Sequence, residues 1–243
     1  DYSAPAGTTI DVFVLRVRYR GQQQRIGSLV VNPGGPGGSG VDAAVGLALT
    51  LPLDVLRRFD IVGFDPRGVG LSSPVECISA AEKDRVAALD PDATTPGQYR
   101  AQVALSRQIA EGCFAKYGDR LAAYDTENTA RDMDVIRQAV GDSRLSYLGY
   151  SYGTRLGSVY AHLFPTRVRA MVLDGAVDPL QDEVAAAAGQ AGGFENAFNQ
   201  FAAGCRRRGP ACRLGRDPRR LVTALLAAAR RSPIPSSRPG ETR

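Results

Sequence analysis

The sequence predicts an α/β fold: a mostly parallel sheet flanked by helices, followed by a purely helical segment. Three observations carry that expectation. Strand-like and helix-like runs alternate over residues 9–173, the order that builds βαβ units. The strand-like runs at 27–31 and 59–64 are short and mostly apolar, as buried strands are. From Leu180 onward only helical periodicity remains, at 181–204 and 218–231. The expected organisation is therefore a core over 1–179 and a second region over 180–243.

The elements follow in order. Residues 9–19 alternate and are β-branched, which predicts a strand, and 21–25 form a polar turn. A short strand at 27–31 runs into the glycine loop N-P-G-G-P-G-G-S-G at 32–40, and a helix at 41–51 stops before Pro52. The strand at 59–64 ends in D-P-R-G-V-G-L-S. Residues 76–97 are mixed, 98–117 read as an amphipathic helix, and 126–140 as a helix with Thr126 as its N-cap and Gly141 as its stop. A strand at 145–149, a helix at 152–164 and a strand at 168–173 complete the core. The Pro- and Ser-rich end, 233–243, is expected to be extended.

Chemistry concentrates at Gly149-Tyr150-Ser151-Tyr152-Gly153, a G-x-S-x-G between a strand and a helix. That context is the one a nucleophile elbow needs: a tight turn projects the serine hydroxyl above the sheet. Acyl transfer also needs donors for an oxyanion. The backbone N–H of Tyr152 is one candidate. The loop after the 27–31 strand supplies the other, with Gly35 first and Gly34 as the alternative. Gly35-x-Gly37-x-x-Gly40 formally matches a dinucleotide fingerprint, but that reading leaves the serine turn without a purpose. Neither lysine stands where a phosphate-loop motif requires one.

A base is missing. The single histidine, His162, follows Ser151 by eleven residues on the same helix, roughly 16 Å along its axis, out of hydrogen-bonding reach. Asp174 and Asp178 follow the 168–173 strand, where a triad acid can sit, but Asp174-Gly175 and Asp178-Pro179 read mainly as turn chemistry. Asp65 and Arg67 read as a structural turn pair behind the glycine loop.

Composition limits the rest. The net charge of +5 is uneven: residues 205–243 hold 11 arginines against Asp217 and Glu241. Such a tail can meet an acidic partner or nucleic acid, but a solvated Arg-rich helix surface is the reading taken, with no nucleic-acid partner. No run is long enough to cross a bilayer, and the opening Asp1-Tyr2-Ser3 is not a secretory signal. One histidine and no C-x-x-C leave no usual zinc site, and no cofactor is expected. Cys205 and Cys212 flank a short loop that suits a local disulfide, Cys77 and Cys113 would then close a longer one, and free buried thiols are the alternative.

With these residues in view, the chain resembles the α/β-hydrolase fold. Within it, the chain is similar to the secreted tripeptidyl-aminopeptidase-like serine peptidases of actinobacteria, relatives of proline iminopeptidase. The matching stretches are V-N-P-G-G-P-G-G-S-G, F-D-I-V-G-F-D-P-R-G-V-G-L-S, T-E-N-T-A-R-D-M-D-V-I-R, G-Y-S-Y-G-T and V-L-D-G-A-V-D-P. The resemblance implies an exported or cell-envelope enzyme that removes short peptides from free N-termini with Ser151 as nucleophile. An esterase or lipase of the same fold is the alternative, and a non-catalytic binding module is a third. It implies that 180–243 begins a helical cap, in which Glu183 and Glu195 are candidates to hold a substrate amine. It implies the disulfides Cys77–Cys113 and Cys205–Cys212. It also places the triad Asp and His in a segment absent here, so that this chain is expected to be one piece of a longer enzyme, with that segment or a second chain as partner and a peptide as substrate.

Overall fold

The computed structural model describes residues 2, 6–7, 9–215 and 217–232, with only the backbone of Glu183. The chain forms two compact units, Asp1–Pro179 and Leu180–Arg243.

The first unit is built on five strands: β1 (Val14–Val17), β2 (Gly27–Asn32), β3 (Phe59–Phe64), β4 (Leu145–Tyr150) and β5 (Val168–Asp174), in the order β1-β3-β2-β4-β5. Only β1 is antiparallel. Neighbouring residues on the central strands point to opposite faces, which divides the core in two. Val30, Val62 and Tyr147 pack with Met133 and Ile136 of α5 (Thr126–Ala139) and Leu156 and Tyr160 of α6 (Tyr152–Leu163). Val31, Ile61 and Leu148 pack with Ala44 of α1 (Gly40–Thr50) and Leu56 of α2 (Leu53–Leu56). Both faces are thus covered by helices, and this is why the central strands read as mostly apolar runs.

Register then places the site. Asn32, the last residue of β2, pairs with Gly149 of β4. The glycine loop and the serine turn therefore leave the sheet side by side, at the carboxyl ends of adjacent parallel strands. Such strand ends are where open α/β sheets bind ligands.

Three expectations need correction. β1 spans four residues instead of eleven, because the segment before it is held by the loop after β3: Phe13 N–H donates to Ser72 Oγ at 2.8 Å, and its carbonyl accepts from Asp65 N at 3.1 Å. The mixed stretch contains a helix, α3 (Ala80–Ala87), whose Ser79–Glu82 capping box was visible in S-A-A-E. The amphipathic helix expected at 98–117 is α4 (Pro96–Tyr117): none of its residues is fully buried, and its half-buried positions, among them Gln102, Leu105, Ile109 and Cys113, recur at helical spacing. It is secured by the Cys77–Cys113 pair (Cα–Cα 4.3 Å) and by Lys116 Nζ donating to the Glu76 carbonyl at 3.0 Å. The N-cap of α5 is Asp125, which accepts from Asn128 N at 2.6 Å, and Thr126 turns its hydroxyl toward Tyr152 instead.

The second unit consists, among its described residues, of α7 (Glu183–Arg208), a short 3-10 turn and α8 (Pro218–Arg231). The Cys205–Cys212 pair, Cα atoms 5.3 Å apart, closes the turn, and Arg219 lies 4.9 Å over the Phe198 ring. Residues 233–243, expected to be extended, lie outside the described residues. No described helix is long and apolar enough to cross a membrane.

Candidate active site

Ser151 joins β4 to α6 with φ 52° and ψ −123°, and it is exposed. A non-glycine residue there is strained by about 1–3 kcal/mol and persists only where its surroundings impose the posture. They do so from three sides. Ser151 N–H donates to the Asp174 carbonyl at the end of β5 at 2.9 Å. The Ser151 carbonyl accepts from Thr154 N at 2.9 Å and Thr154 Oγ1 at 2.7 Å. Thr154 Oγ1 in turn accepts from Val177 N at 2.9 Å, lacing the turn to the loop after β5.

The glycines beside Ser151 are required by close approach. A Cβ on Gly149 would sit 2.6 Å from Tyr147 Cε1, and one on Gly153 would sit 2.7 Å from the Asn32 carbonyl oxygen. Strand and helix start therefore meet without side chains between them. Tyr147 adds a bond from its hydroxyl to the Gly153 carbonyl at 2.8 Å. Burial, then the neighbouring Tyr152, pushes the Tyr147 hydroxyl pKa well up, so it remains a neutral donor.

The glycine loop lies against this turn. A Cβ on Gly34 (φ +88°) would fall 2.9 Å from Tyr152 N and 3.1 Å from Ser151 Cβ. Gly34 is buried, its N–H donates to Asn32 Oδ1 at 2.9 Å, and its carbonyl accepts from Gly38 N at 3.0 Å. Gly34's amide is spent inward, whereas Gly35 (φ +112°) is exposed beside it. Ser39 caps α1 and donates to Asp65 Oδ1 at 2.6 Å, and the other Asp65 oxygen accepts from Leu71 N at 2.9 Å. Asp65 thus ties the far end of the loop to the segment after β3. It does so alone: Arg67 pairs instead with Asp132 of α5 (2.6 and 2.8 Å), so the two are not a turn pair. Buried Arg67 and Asp132 also hold Tyr2, whose hydroxyl donates to Asp132 at 2.6 Å.

His162 is exposed in the last turn of α6, at the other end of that helix from Ser151. Asp174 and Asp178 are exposed, and it is the carbonyl of Asp174 that touches the site. In the second unit, Glu195 is ion-paired with Arg219 and Asn199 reaches it at 3.5 Å, while the side chain of Glu183 lies outside the described residues. No group of three or more His, Cys, Asp or Glu able to hold a metal occurs among the described residues. Asn32 and Thr154 escaped the sequence reading. Asn32 directly precedes Pro33-Gly34-Gly35, a position where a short amide can accept from a backbone N–H two residues on, and that was the available signal.

The arrangement offers an exposed serine at the start of a helix, with the glycine loop packed against it and against the Tyr152 amide, a geometry suited to one half of an acyl-transfer site. Comparison with known proteins agrees with the geometry. The profile of the alpha/beta hydrolase fold family matches residues 27–233. Serine protease Hip1 of Mycobacterium tuberculosis is 49% identical over 226 residues, covering 91% of this chain and 42% of that protein. The tripeptidyl aminopeptidase of Streptomyces coelicolor is 46% identical over 187 residues, covering 76% of this chain and 35% of that protein. Carboxylesterase B of M. tuberculosis is 46% identical over 231 residues, covering 93% and 44%. The chain thus spans less than half the length of each. It belongs to the alpha/beta hydrolase fold family and is similar within it to actinobacterial serine peptidases.

Proposed function

We propose that this chain is the nucleophile-bearing part of an exported serine aminopeptidase that releases short peptides, of tripeptidyl type, from free N-termini. The observation that carries the reading is the strained, exposed Ser151 turn packed against the glycine loop. In the reaction, Ser151 Oγ attacks the scissile carbonyl carbon and its proton passes to a base. The carbonyl oxygen becomes an oxyanion held by the N–H groups of Tyr152 and Gly35. Collapse breaks the C–N bond, the leaving amine takes the proton, and water then hydrolyses the acyl-serine ester.

The base and its acid come, in this reading, from a further segment of the full-length protein. Support lies at the outer edge of β5, where Val172 is 59% and Leu173 36% exposed. An apolar strand exposed in this way is a template for another strand. The second unit is read, from the family resemblance, as the start of a helical cap, with Glu183 and Glu195 as candidates for the substrate amine. The two disulfides favour an oxidising compartment, hence export. A second reading, an esterase, is favoured by the relative named a carboxylesterase.

The test uses the full-length gene product. A fluorophosphonate probe is expected to label it at Ser151, with labelling lost in Ser151→Ala. Tripeptide anilides are expected to turn over faster than p-nitrophenyl esters; the reverse order would favour the esterase. An unlabelled full-length protein would overturn the hydrolase reading and leave the binding-module alternative.

A further inference from the structure

We infer that the cavity between the N-terminal segment and the first turn of α5 is a subsite for the free N-terminus of a peptide substrate, with Asp119 as the carboxylate that takes its ammonium group. The inference rests on the aminopeptidase reading above and deepens it. The cavity holds about 630 Å³ and lies wholly within the first unit. It is lined by Thr9 and Ile10 of the N-terminal segment, by Ser73 after β3, and by Asp119, Tyr124 and Asn128 before and within α5. Its neighbours place it on the rim that carries Ser151. Phe13 bonds through its N–H and its carbonyl to the loop after β3, so the N-terminal segment meets the sheet at the carboxyl end of that strand. A Cβ on Gly68, in the same loop, would fall 2.8 Å from Tyr124 Cδ1. Thr126 Oγ1 and the Tyr152 hydroxyl are 2.7 Å apart, which joins the first turn of α5 to the residue after Ser151. β3 and β4 are two positions apart in the sheet, about 10 Å at the usual strand spacing, and about 10 Å is also the reach of three extended residues.

The chemistry of the lining selects an amine. Asp119 is the only carboxylate among the lining residues, and its side chain has no hydrogen-bond or ion-pair partner among the described residues. It makes no capping bond to the 3-10 turn in whose first turn it stands, Gly118–Ala123. Arg120, the one cation in the lining, donates instead to the carbonyls of Tyr117 (3.3 Å) and Lys116 (3.4 Å), which leaves the Asp119 charge for a ligand. The hydroxyls of Thr9, Ser73 and Tyr124 are likewise without partners among the described residues, and hydroxyls serve both the N–H and the C=O of a peptide backbone. A carboxylate in a concave site binds an ammonium group through charge-assisted hydrogen bonds and discriminates against a blocked, uncharged terminus. Held about three residues from the scissile carbonyl, it sets the length of peptide released. In the second unit Glu195 is already paired with Arg219, so Asp119 is the freer acceptor of the two.

The test uses the full-length gene product and reads kcat/KM on tripeptide anilides with a free and with an N-acetylated terminus. The ratio of the two, large in wild type, is expected to fall about tenfold or more in Asp119→Asn and in Asp119→Ser, chiefly through KM on the free peptide. In Asp119→Glu, which keeps the charge, it is expected to stay within about threefold of wild type. The preference for tripeptide over tetrapeptide anilides should shrink with the ratio, a readout that a merely structural role does not move. Either folded neutral variant that holds the wild-type ratio overturns the assignment. So does D119E falling as low as D119N, or a collapse of the ratio in Glu183→Gln or Glu195→Gln with Asp119 intact. Melting curves separate loss of fold from loss of binding: if one neutral variant unfolds the other is read, and if both unfold Asp119 is structural and the assignment is overturned. Wild type that takes no fluorophosphonate label overturns the hydrolase reading. Labelled wild type that cleaves free and acetylated tripeptides alike overturns the aminopeptidase reading and this subsite with it, whereas a discriminating wild type whose ratio survives in the neutral variants overturns only the subsite.

Discussion

β4 and β5 are neighbouring parallel strands that meet at the same turn, yet they live in different surroundings. Five of the six residues of β4 are buried, and the strand is paired on both sides, by β2 and by β5. No residue of β5 is fully buried, and among the described residues it is paired only with β4. The serine turn draws on both. β4 delivers Ser151, and β5 supplies the Asp174 carbonyl that takes the Ser151 N–H. The posture of the nucleophile is therefore held on one side by the firmest part of the sheet and on the other by its least covered strand.

The contrast can be broken at four points. The largest effect is expected beneath the centre. Leu156→Ala removes a fully buried side chain packed on the β4 face and should cost about 2–5 kcal/mol, measured by urea unfolding. Next, Tyr147→Phe strips the buried hydroxyl that donates to the Gly153 carbonyl. A loss of about 0.5–1.5 kcal/mol is expected, the worth of one hydrogen bond to a carbonyl that α6 also engages, with the same method.

The third point is Asp134 of α5, which receives hydrogen bonds from Arg137 (2.8 Å) and Tyr160 (3.1 Å) and pairs with Arg167 just before β5. Burial by itself raises its pKa, but the Arg137 and Tyr160 hydrogen bonds and the Arg137 charge outweigh it and hold the carboxyl below its usual value. Tyr160 is pushed up to about 12 by burial and by Asp134. A carboxyl depressed in the folded state contributes stability that is present above its unfolded pKa of about 3.9 and is lost as pH falls through the folded value. Asp134→Asn should therefore flatten the decline of stability below about pH 4, read from melting curves across pH; an unchanged acid limb would show that the cluster carries no proton linkage. The smallest effect belongs to the edge. Val172→Ala should cost under about 0.5 kcal/mol in the 243-residue chain, as exposed positions do. In the full-length protein it should cost distinctly more if another strand covers that edge, and equal costs in both would remove the main structural support for such a strand.

Much of this was legible in residue order. The mostly apolar runs marked β2, β3 and β4 because strands covered on both faces carry no regular polar side. G-Y-S-Y-G marked the turn because only glycine tolerates the approach seen at Gly149 and Gly153. The helix α3 was equally legible in its capping box and was passed over for its mixed composition. Other features had no local signature. The partnership of Arg67 with Asp132 spans 65 residues, and nothing near either one names the other.

Residue order alone determined the element types, the serine turn and the glycine loop, since each depends on steric and hydrogen-bonding rules acting within a few residues. Tertiary structure alone decided that Asn32 pairs in register with Gly149, that Gly34's amide is spent inward while Gly35 stays exposed, and that β5 supports Ser151 from an uncovered edge. The first of these joins strands more than a hundred residues apart, and even over shorter spans a hydrogen-bonding group shows which partner it has taken only once the chain has closed around it.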